Sequence, residues 1–263
     1  MNGSELIAEI LKKENIKFLS CFPSTALIES CAEINIKPII CRQERIGVAI
    51  ADGISRSTGG KQIGVFAMQG GPGAENSFPG AAQSFADNVP VLLIPGGESL
   101  NKSFISPNFV STNNYSNVTK WLAQVNDINR LPQILKRAFY ALKTGKPGPV
   151  LIEIPAEIWA HNLNELNYEP VKRNLVRPNQ SETNEIADII INAKNPVLYT
   201  GQGIMYSDAE EELLKFAELL NIPVMTTMPG KSSFPENHAL SLGSSAVSTT
   251  KMIHHFLNKS DVV

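Results

Sequence analysis

Apolar residues recur along the first 155 positions at two spacings, one typical of helices and one typical of buried strands. Spacings of three and four predict helices over 4–15, 25–32, 43–58 and 131–143, with Ser4 as the expected N-cap of the first. Between them lie the short runs KFLSC, KPIIC, QIGVFAM, VPVLLIP and PVLIEIP, which predict strands. QIGVFAM and VPVLLIP are near-continuous apolar runs, as expected for strands covered on both faces. Strands that alternate with helices indicate an α/β fold with a parallel sheet flanked by helices.

A polar stretch at 156–181 separates this pattern from a second α/β pattern. The stretch has little periodicity and contains Pro170 and Pro178, as an interdomain linker does. We therefore expect a first domain over 1–160, a linker over 161–180, and a second, Rossmann-like α/β domain over 181–263. The last residues, Asp-Val-Val, look like the start of another buried strand. This pattern predicts that the second domain is incomplete and that the chain is a fragment of a longer protein.

The composition of the chain argues against nucleic acid or a membrane as its binding partner. Hydrophobic residues make up 43% of the chain, charged residues 18%, and the net charge is −2, which is typical of a soluble globular protein without a nucleic-acid or membrane partner. No apolar stretch approaches the roughly 18 to 20 residues needed to span a bilayer. The charged N-terminus lacks the apolar core of a secretory signal, so we expect a cytoplasmic location.

Cysteine and histidine residues give no sign of a disulfide framework or a metal site. The three cysteines are an odd number without a C-x-x-C pair, and we expect Cys21, Cys31 and Cys41 to be small buried side chains. The four histidines lack the spacing of metal ligands, and no residue is assigned to a metal.

Two features between residues 42 and 95 are candidates for chemistry. Gly70-Gly71-Pro72-Gly73 joins a predicted strand to a helix, where backbone N–H groups can face an anion or a flat ring. A plain tight turn would have the same residues, and Asn76 takes the third glycine position of the dinucleotide fingerprint. Glu44 lies near a predicted helix N-terminus, where its charge can serve chemistry or simply favour the helix dipole.

Two glycine motifs in the second half of the chain are weak evidence for a nucleotide- or phosphate-binding site. Gly201-Gln202-Gly203 follows a predicted strand but lacks the third small residue of a dinucleotide site. Gly230-Lys231-Ser232 imitates the end of a phosphate-binding P-loop, yet Met225 stands where the leading glycine belongs. Both patterns favour tight turns.

A set of short motifs, in order along most of the chain, resembles a known enzyme family. The motifs are Phe22-Pro23, Arg42-x-Glu44, Ala51-Asp52-Gly53-x-x-Arg56, Gly71-Pro72-Gly73-Ala74-x-Asn76, Asp87-x-x-Pro90, Gly145-Lys146-Pro147-Gly148-Pro149-Val150, Pro229-Gly230-Lys231, Phe234-Pro235-Glu236-x-His238 and Leu242-Gly243. Together they resemble the thiamine-diphosphate enzymes of the acetolactate synthase group. That group has a pyrimidine-binding, a central and a diphosphate-binding domain. This chain would cover the first and part of the second, and it lacks the Gly-Asp-Gly metal motif of the third.

The resemblance implies a site and its cofactor. Glu44 would be the catalytic acid that exchanges a proton with the aminopyrimidine, and Pro23, Gly71 and Asn76 would line the pyrimidine pocket. Thiamine diphosphate and Mg²⁺ would be held through a diphosphate-binding domain outside this chain. That domain would belong to a second subunit of a homodimer or tetramer, or to a separately encoded subunit. The resemblance gives little support for FAD binding, because the central-domain residues that bind FAD in some synthases match poorly or are absent here.

The resemblance also implies an activity. A complete protein would decarboxylate a small 2-oxoacid such as pyruvate and transfer the resulting acyl carbanion to an acceptor, whereas the fragment alone would be inactive. Two alternatives stay open, a 2-oxoacid decarboxylase of the same family and a non-catalytic α/β interaction module. Gln43, Arg45 and Glu98 stand where the family usually has His, Gln and Gln, and Ser24 replaces the Gly that usually follows Pro23. The departures at 43, 45 and 98 bear on substrate choice rather than on the cofactor.

Overall fold

The chain folds into two compact units, Met1–Leu175 and Val176–Val263, in a computed structural model. The structure describes residues 1–23, 25–103, 105–174 and 176–263. Within these ranges, no helix is both long and apolar enough to pass through a lipid bilayer.

The first unit alternates strands with helices, as the apolar pattern predicts. In chain order its elements are α1 (Gly3–Lys13), β1 (Phe18–Cys21), α2 (Leu27–Glu33), β2 (Lys37–Ile40), α3 (Glu44–Ser57), β3 (Gly64–Met68), α4 (Pro72–Ala86), β4 (Val91–Gly97), α5 (Ser111–Asn114), β5 (Trp121–Gln124), α6 (Leu131–Lys143), β6 (Val150–Pro155) and α7 (Ala156–Ala160). Asn2, rather than Ser4, caps α1: its side chain accepts from the backbone N–H of Glu5, and Glu5 accepts from the N–H of Asn2.

The strands form one parallel sheet in the order β2-β1-β3-β4-β6-β5. Alternate side chains of β3 point to opposite faces: Val65 and Ala67 join the core that contains α1, α2 and α6, whereas Phe66 and Met68 join the core that contains α3 and α4. Every residue of β3 and β6 is buried, which explains why their sequences are apolar at every position except Glu153. The predicted parallel sheet flanked by helices is confirmed.

A buried carboxylate holds the segment after α7 against the first unit. Glu14, which is 6% exposed, pairs with Lys143 and accepts hydrogen bonds from the Tyr168 hydroxyl (2.5 Å) and the Val171 N–H (2.9 Å). Burial, together with this hydrogen bond, raises the pKa of Tyr168. Residues 162 to 171 of the predicted linker therefore lie against the first unit, despite their polar sequence.

The second unit contains a three-stranded parallel sheet in the order β7-β8-β9. Its elements are α8 (Gln180–Asn192), β7 (Leu198–Thr200), α9 (Gly203–Ser207), α10 (Glu210–Leu220), β8 (Val224–Thr227), β9 (Ser241–Ser245) and α11 (Lys251–Lys259). Pro196 and Val262 form an isolated parallel bridge next to β7. Asp261 accepts from the N–H groups of Lys194 and Asn195, and these bonds lower the pKa of its carboxyl. The expected start of a strand at Asp-Val-Val is thus a single bridge.

Candidate functional site

The sheet of the first unit has a topological switch point between β1 and β3. The chain leaves β1 on one side to form β2, and α3 then carries it back across to form β3 on the other side. At such a point, the loops beyond the carboxyl ends of the two strands separate and leave a crevice, which is the common ligand site of open α/β sheets. The residues that follow β1, β2 and β3 lie at this edge of the sheet.

Glu44 and Asn76 meet at this switch point. Glu44 begins α3, is 7% exposed, and accepts a 2.6 Å hydrogen bond at Oε2 from Asn76 Nδ2 on α4. No described residue donates a hydrogen bond to Glu44 Oε1. The carboxylate therefore has one oxygen fixed by Asn76 and a second oxygen free to bind a further group.

The turn between β3 and α4 leaves open backbone beside this carboxylate. Gly71 has φ +55°, which favours glycine, and a Cβ placed on it would have no other atom within 4 Å. It precedes Pro72, the first residue of α4, so the helix N-terminus faces the same region. A Cβ on Gly73 would lie 3.3 Å from Glu44 Oε1, which shows how closely the turn approaches the acid.

Helix α3 is held close to the sheet beneath Glu44. The hydroxyl of Ser20 on β1 donates a 2.8 Å hydrogen bond to the carbonyl of Gly47, one turn after Glu44. A Cβ on Gly47 would fall 2.1 Å from the ring of Phe66 on β3, so the helix approaches the sheet as only glycine permits. These contacts fix the start of α3 relative to β1 and β3.

A charge network joins α3 to the far end of α4. Arg56 binds Asp52 through Nε (2.8 Å) and Asp87 through Nη2 (2.9 Å), and the Ser84 hydroxyl donates to Asp52 (2.8 Å). The Asp52 and Asp87 carboxylates raise the pKa of Arg56 against a smaller opposing effect of burial. The motifs that contain Asp52, Arg56 and Asp87 therefore have a structural role here, at the end of α4 away from Glu44.

Tyr115 supports the site but was not predicted from the sequence. Its fully buried hydroxyl donates a 2.5 Å hydrogen bond to the carbonyl of Ala74, in the first turn of α4, and its ring packs edge-on against Phe78 at 5.3 Å. Burial raises the pKa of this hydroxyl. Tyr115 lies in a Ser- and Asn-rich segment without periodicity, so no sequence signal indicated its place.

Pro23 lies after β1 at the same edge of the sheet, and it is exposed. Ser24, where the sequence departs from the family pattern, is outside the described residues. Thr25 Oγ1 is the only buried side-chain oxygen or nitrogen in the described part of the chain that makes no hydrogen bond. The structure places Pro23 and this unpaired hydroxyl at the carboxyl end of β1, beside the switch point.

Other candidate positions have plain structural explanations. The Lys231 ammonium pairs with Glu236, and Gly203 begins the five-residue helix α9. The three cysteines are buried free thiols, as predicted. Burial raises the pKa of Cys41, three residues before Glu44, so this neighbour stays a neutral thiol. Among the described residues, no group of three or more His, Cys, Asp or Glu side chains could hold a metal ion.

Comparison with known families assigns both units. Residues 1–111 match the thiamine pyrophosphate enzyme N-terminal TPP binding domain, and residues 183–263 match the thiamine pyrophosphate enzyme central domain. The chain belongs to the thiamine pyrophosphate enzyme family. The first match contains Pro23, Glu44, Gly71 and Asn76, and thiamine pyrophosphate is another name for thiamine diphosphate.

Curated relatives within the thiamine pyrophosphate enzymes are acetolactate synthases. The chain is 29% identical to the acetolactate synthase large subunit of Buchnera aphidicola subsp. Schizaphis graminum, with 100% of this chain and 48% of that protein covered. It is 31% identical to a probable acetolactate synthase large subunit of Methanococcus aeolicus (100% and 46%) and 30% identical to acetolactate synthase 2, chloroplastic, of Nicotiana tabacum (99% and 40%). The chain thus spans about half the length of these relatives.

Proposed function

We propose that this chain forms the pyrimidine-binding half of an acetolactate synthase-like enzyme that uses thiamine diphosphate. The observation that carries the proposal is the buried Glu44 carboxylate at the switch point, with Oε2 held by Asn76 and with no donor to Oε1 among the residues that the structure describes. When bound, the cofactor supplies an electron sink that stabilises the carbanion formed from a 2-oxoacid such as pyruvate.

Glu44 is the proton-transferring residue in this proposal. Its free Oε1 would hold and return a proton at the pyrimidine ring nitrogen N1′, while Asn76 keeps the carboxyl from rotating. Gly71 offers open backbone on which a flat ring can lie, and Pro23 would close the pocket from the end of β1. The residues present therefore suit the pyrimidine ring of the cofactor.

The proposal places the rest of the cofactor outside these residues. The diphosphate and Mg²⁺ would be held by a diphosphate-binding domain outside residues 1–263, contributed by a second subunit, so that the active form has at least two subunits. We also propose a cytoplasmic location, in keeping with three cysteines that are free thiols.

The first test replaces the acid in the full-length protein. Glu44→Gln keeps the size and hydrogen-bonding capacity of the side chain but cannot exchange a proton at N1′. We expect turnover of pyruvate with cofactor and Mg²⁺ to fall about 10²- to 10⁴-fold. The matched control is Glu75→Gln, an exposed residue next to Asn76 in the first turn of α4, which should keep normal turnover. Near-normal turnover by Glu44→Gln would sink the role assigned to Glu44.

Two further measurements separate the alternatives. A product assay with pyruvate distinguishes a synthase, which releases acetolactate, from a simple decarboxylase, which releases the free aldehyde. Calorimetry of the full-length protein with thiamine diphosphate and Mg²⁺ should show binding. If the cofactor does not bind, the chain belongs to a non-catalytic interaction module and the proposed function is wrong.

A further inference from the structure

The two edges of the six-stranded sheet differ in how they are protected. Strand β2 forms one edge and contains Lys37 and Pro38, a charged side chain and a residue without an N–H group, both of which discourage pairing with another strand. Strand β5 forms the other edge with the sequence Trp-Leu-Ala-Gln, which contains neither. No described strand pairs with its outer side. One edge of the same sheet is therefore guarded, and the other is open.

The charged residue that directly precedes β5 in the sequence is engaged elsewhere. Lys120 immediately precedes the strand, but its ammonium donates hydrogen bonds to the carbonyls of Ala141 and Thr144 at the C-terminal end of α6. Burial lowers the pKa of Lys120. Its charge thus satisfies the end of a helix and does not protect the open edge.

A groove of about 650 Å³ runs along this edge, between β5 and the exposed face of α6. All four residues of β5 line it. The groove carries three cations, Arg130, Lys136 and Arg137, and none of the described residues that line it is acidic. The Arg137 guanidinium lies 5.2 Å from the centre of the Trp121 ring, and Tyr140 is 53% exposed at the rim.

We propose that the β5 edge and this groove bind an extended acidic segment of a partner protein. The open backbone of β5 would pair with the segment as an added strand, which gives affinity through main-chain hydrogen bonds. Arg130, Lys136 and Arg137 would select carboxylates, because a cationic surface steers and holds an anionic partner. The proposal is independent of the cofactor and of Glu44.

The test uses the full-length protein and a fluorescent, end-blocked peptide of alternating Glu and Val, with a Lys and Val peptide as the counterpart. Fluorescence anisotropy should show binding of the Glu peptide and not of the Lys peptide. Arg137→Glu and Lys136→Glu should each weaken binding about tenfold or more, since each places a like charge against the ligand. Lys172→Glu, an exposed residue outside the groove, makes the same change in net charge and should bind normally.

Hydrogen–deuterium exchange distinguishes strand addition from electrostatic binding without backbone pairing. Bound peptide should slow exchange of the amides at 121–124 and leave those of β2 unchanged. The proposal is overturned if the Glu peptide does not bind, if Lys172→Glu weakens binding as much as Arg137→Glu, or if exchange at 121–124 is unaffected. Sedimentation provides one more outcome: a dimer that forms without peptide and dissociates in Arg137→Glu would make a second copy of this chain the occupant instead.

Discussion

At the scale of single residues, burial decides the chemistry of the side chains around the core. Cys31, on α2, is fully buried, and burial raises the pKa of its thiol from 9.0 to about 12, with a smaller contribution from Cys21. The thiolate is the reactive form, so this cysteine is inert at neutral pH. Hydrogen bonding distinguishes the two buried carboxylates. Glu44 Oε1 has no donor among the described residues, whereas both oxygens of Glu14 accept hydrogen bonds.

The raised pKa of Cys31 makes stability depend on alkaline pH. The folded protein keeps the thiol proton above pH 9, where the unfolded chain releases it, so the contribution to stability is complete below pH 9 and is lost as pH rises towards about 12. We expect the urea midpoint to fall from pH 7 to about pH 10, and to fall less in Cys31→Ala. An unchanged slope in the variant would remove Cys31 as a cause.

At the scale of elements, the distance between α3 and the sheet positions the acid. Gly47 faces the Phe66 ring and Gly53, farther along the same helix, faces open space. The two glycines offer a matched comparison, because a methyl group added at one meets a buried ring and at the other meets nothing within 4 Å.

Gly47→Ala should lower the free energy of unfolding by about 1 to 3 kcal/mol through overpacking. Gly53→Ala should raise it by roughly 0.5 to 1 kcal/mol, since alanine favours a helix over glycine. Urea denaturation of both variants measures the difference. Equal effects of the same sign would show that α3 does not depend on close approach at Gly47.

Elements differed in how far the sequence could predict them. Strands β3, β4 and β6 were predicted because near-continuous apolar runs are typical of strands covered on both faces. Strand β5 was not predicted because its half-buried edge residues form no such run.

In the candidate site too, some residues could be predicted from the sequence and others could not. Glu44 and Asn76 were chosen through motif resemblance, and the structure brings them within 2.6 Å. Their roles towards the cofactor stay predictions. Tyr115 contacts Ala74 across 41 positions of sequence, a pairing that depends on the path of the chain through α5 and not on any local pattern.

At the scale of the whole molecule, Glu14 connects the segment after α7 to the first unit. Its carboxylate pairs with Lys143 and accepts hydrogen bonds from Tyr168 and Val171. These contacts hold the segment after α7 against the first unit. Leu166, within this segment, packs against the core. The polar sequence alone indicated a linker, because the hydrogen bonds to Glu14 span more than a hundred positions of sequence.

Glu14→Ala should release this segment. A Glu-specific protease should cut after Glu165 slowly in the wild type and several-fold faster in the variant, since cleavage follows local opening of the backbone. Glu9→Ala on the same helix is the control and should leave the rate unchanged. If Glu14→Ala also leaves the rate unchanged, the hydrogen bonds to Glu14 do not hold the segment.

The position of β6 has a consequence for synthesis on the ribosome. Strand β6 lies between β4 and β5, although it is the last of the three to be made. Until residue 155 emerges, the nascent sheet ends at β4, a strand whose first five residues are all buried in the finished fold. An unpaired, apolar strand edge of this kind is prone to aggregation until the neighbouring strand pairs with it. The half of the sheet that carries Glu44 can therefore assemble early, but it needs protection from other chains until β6 arrives.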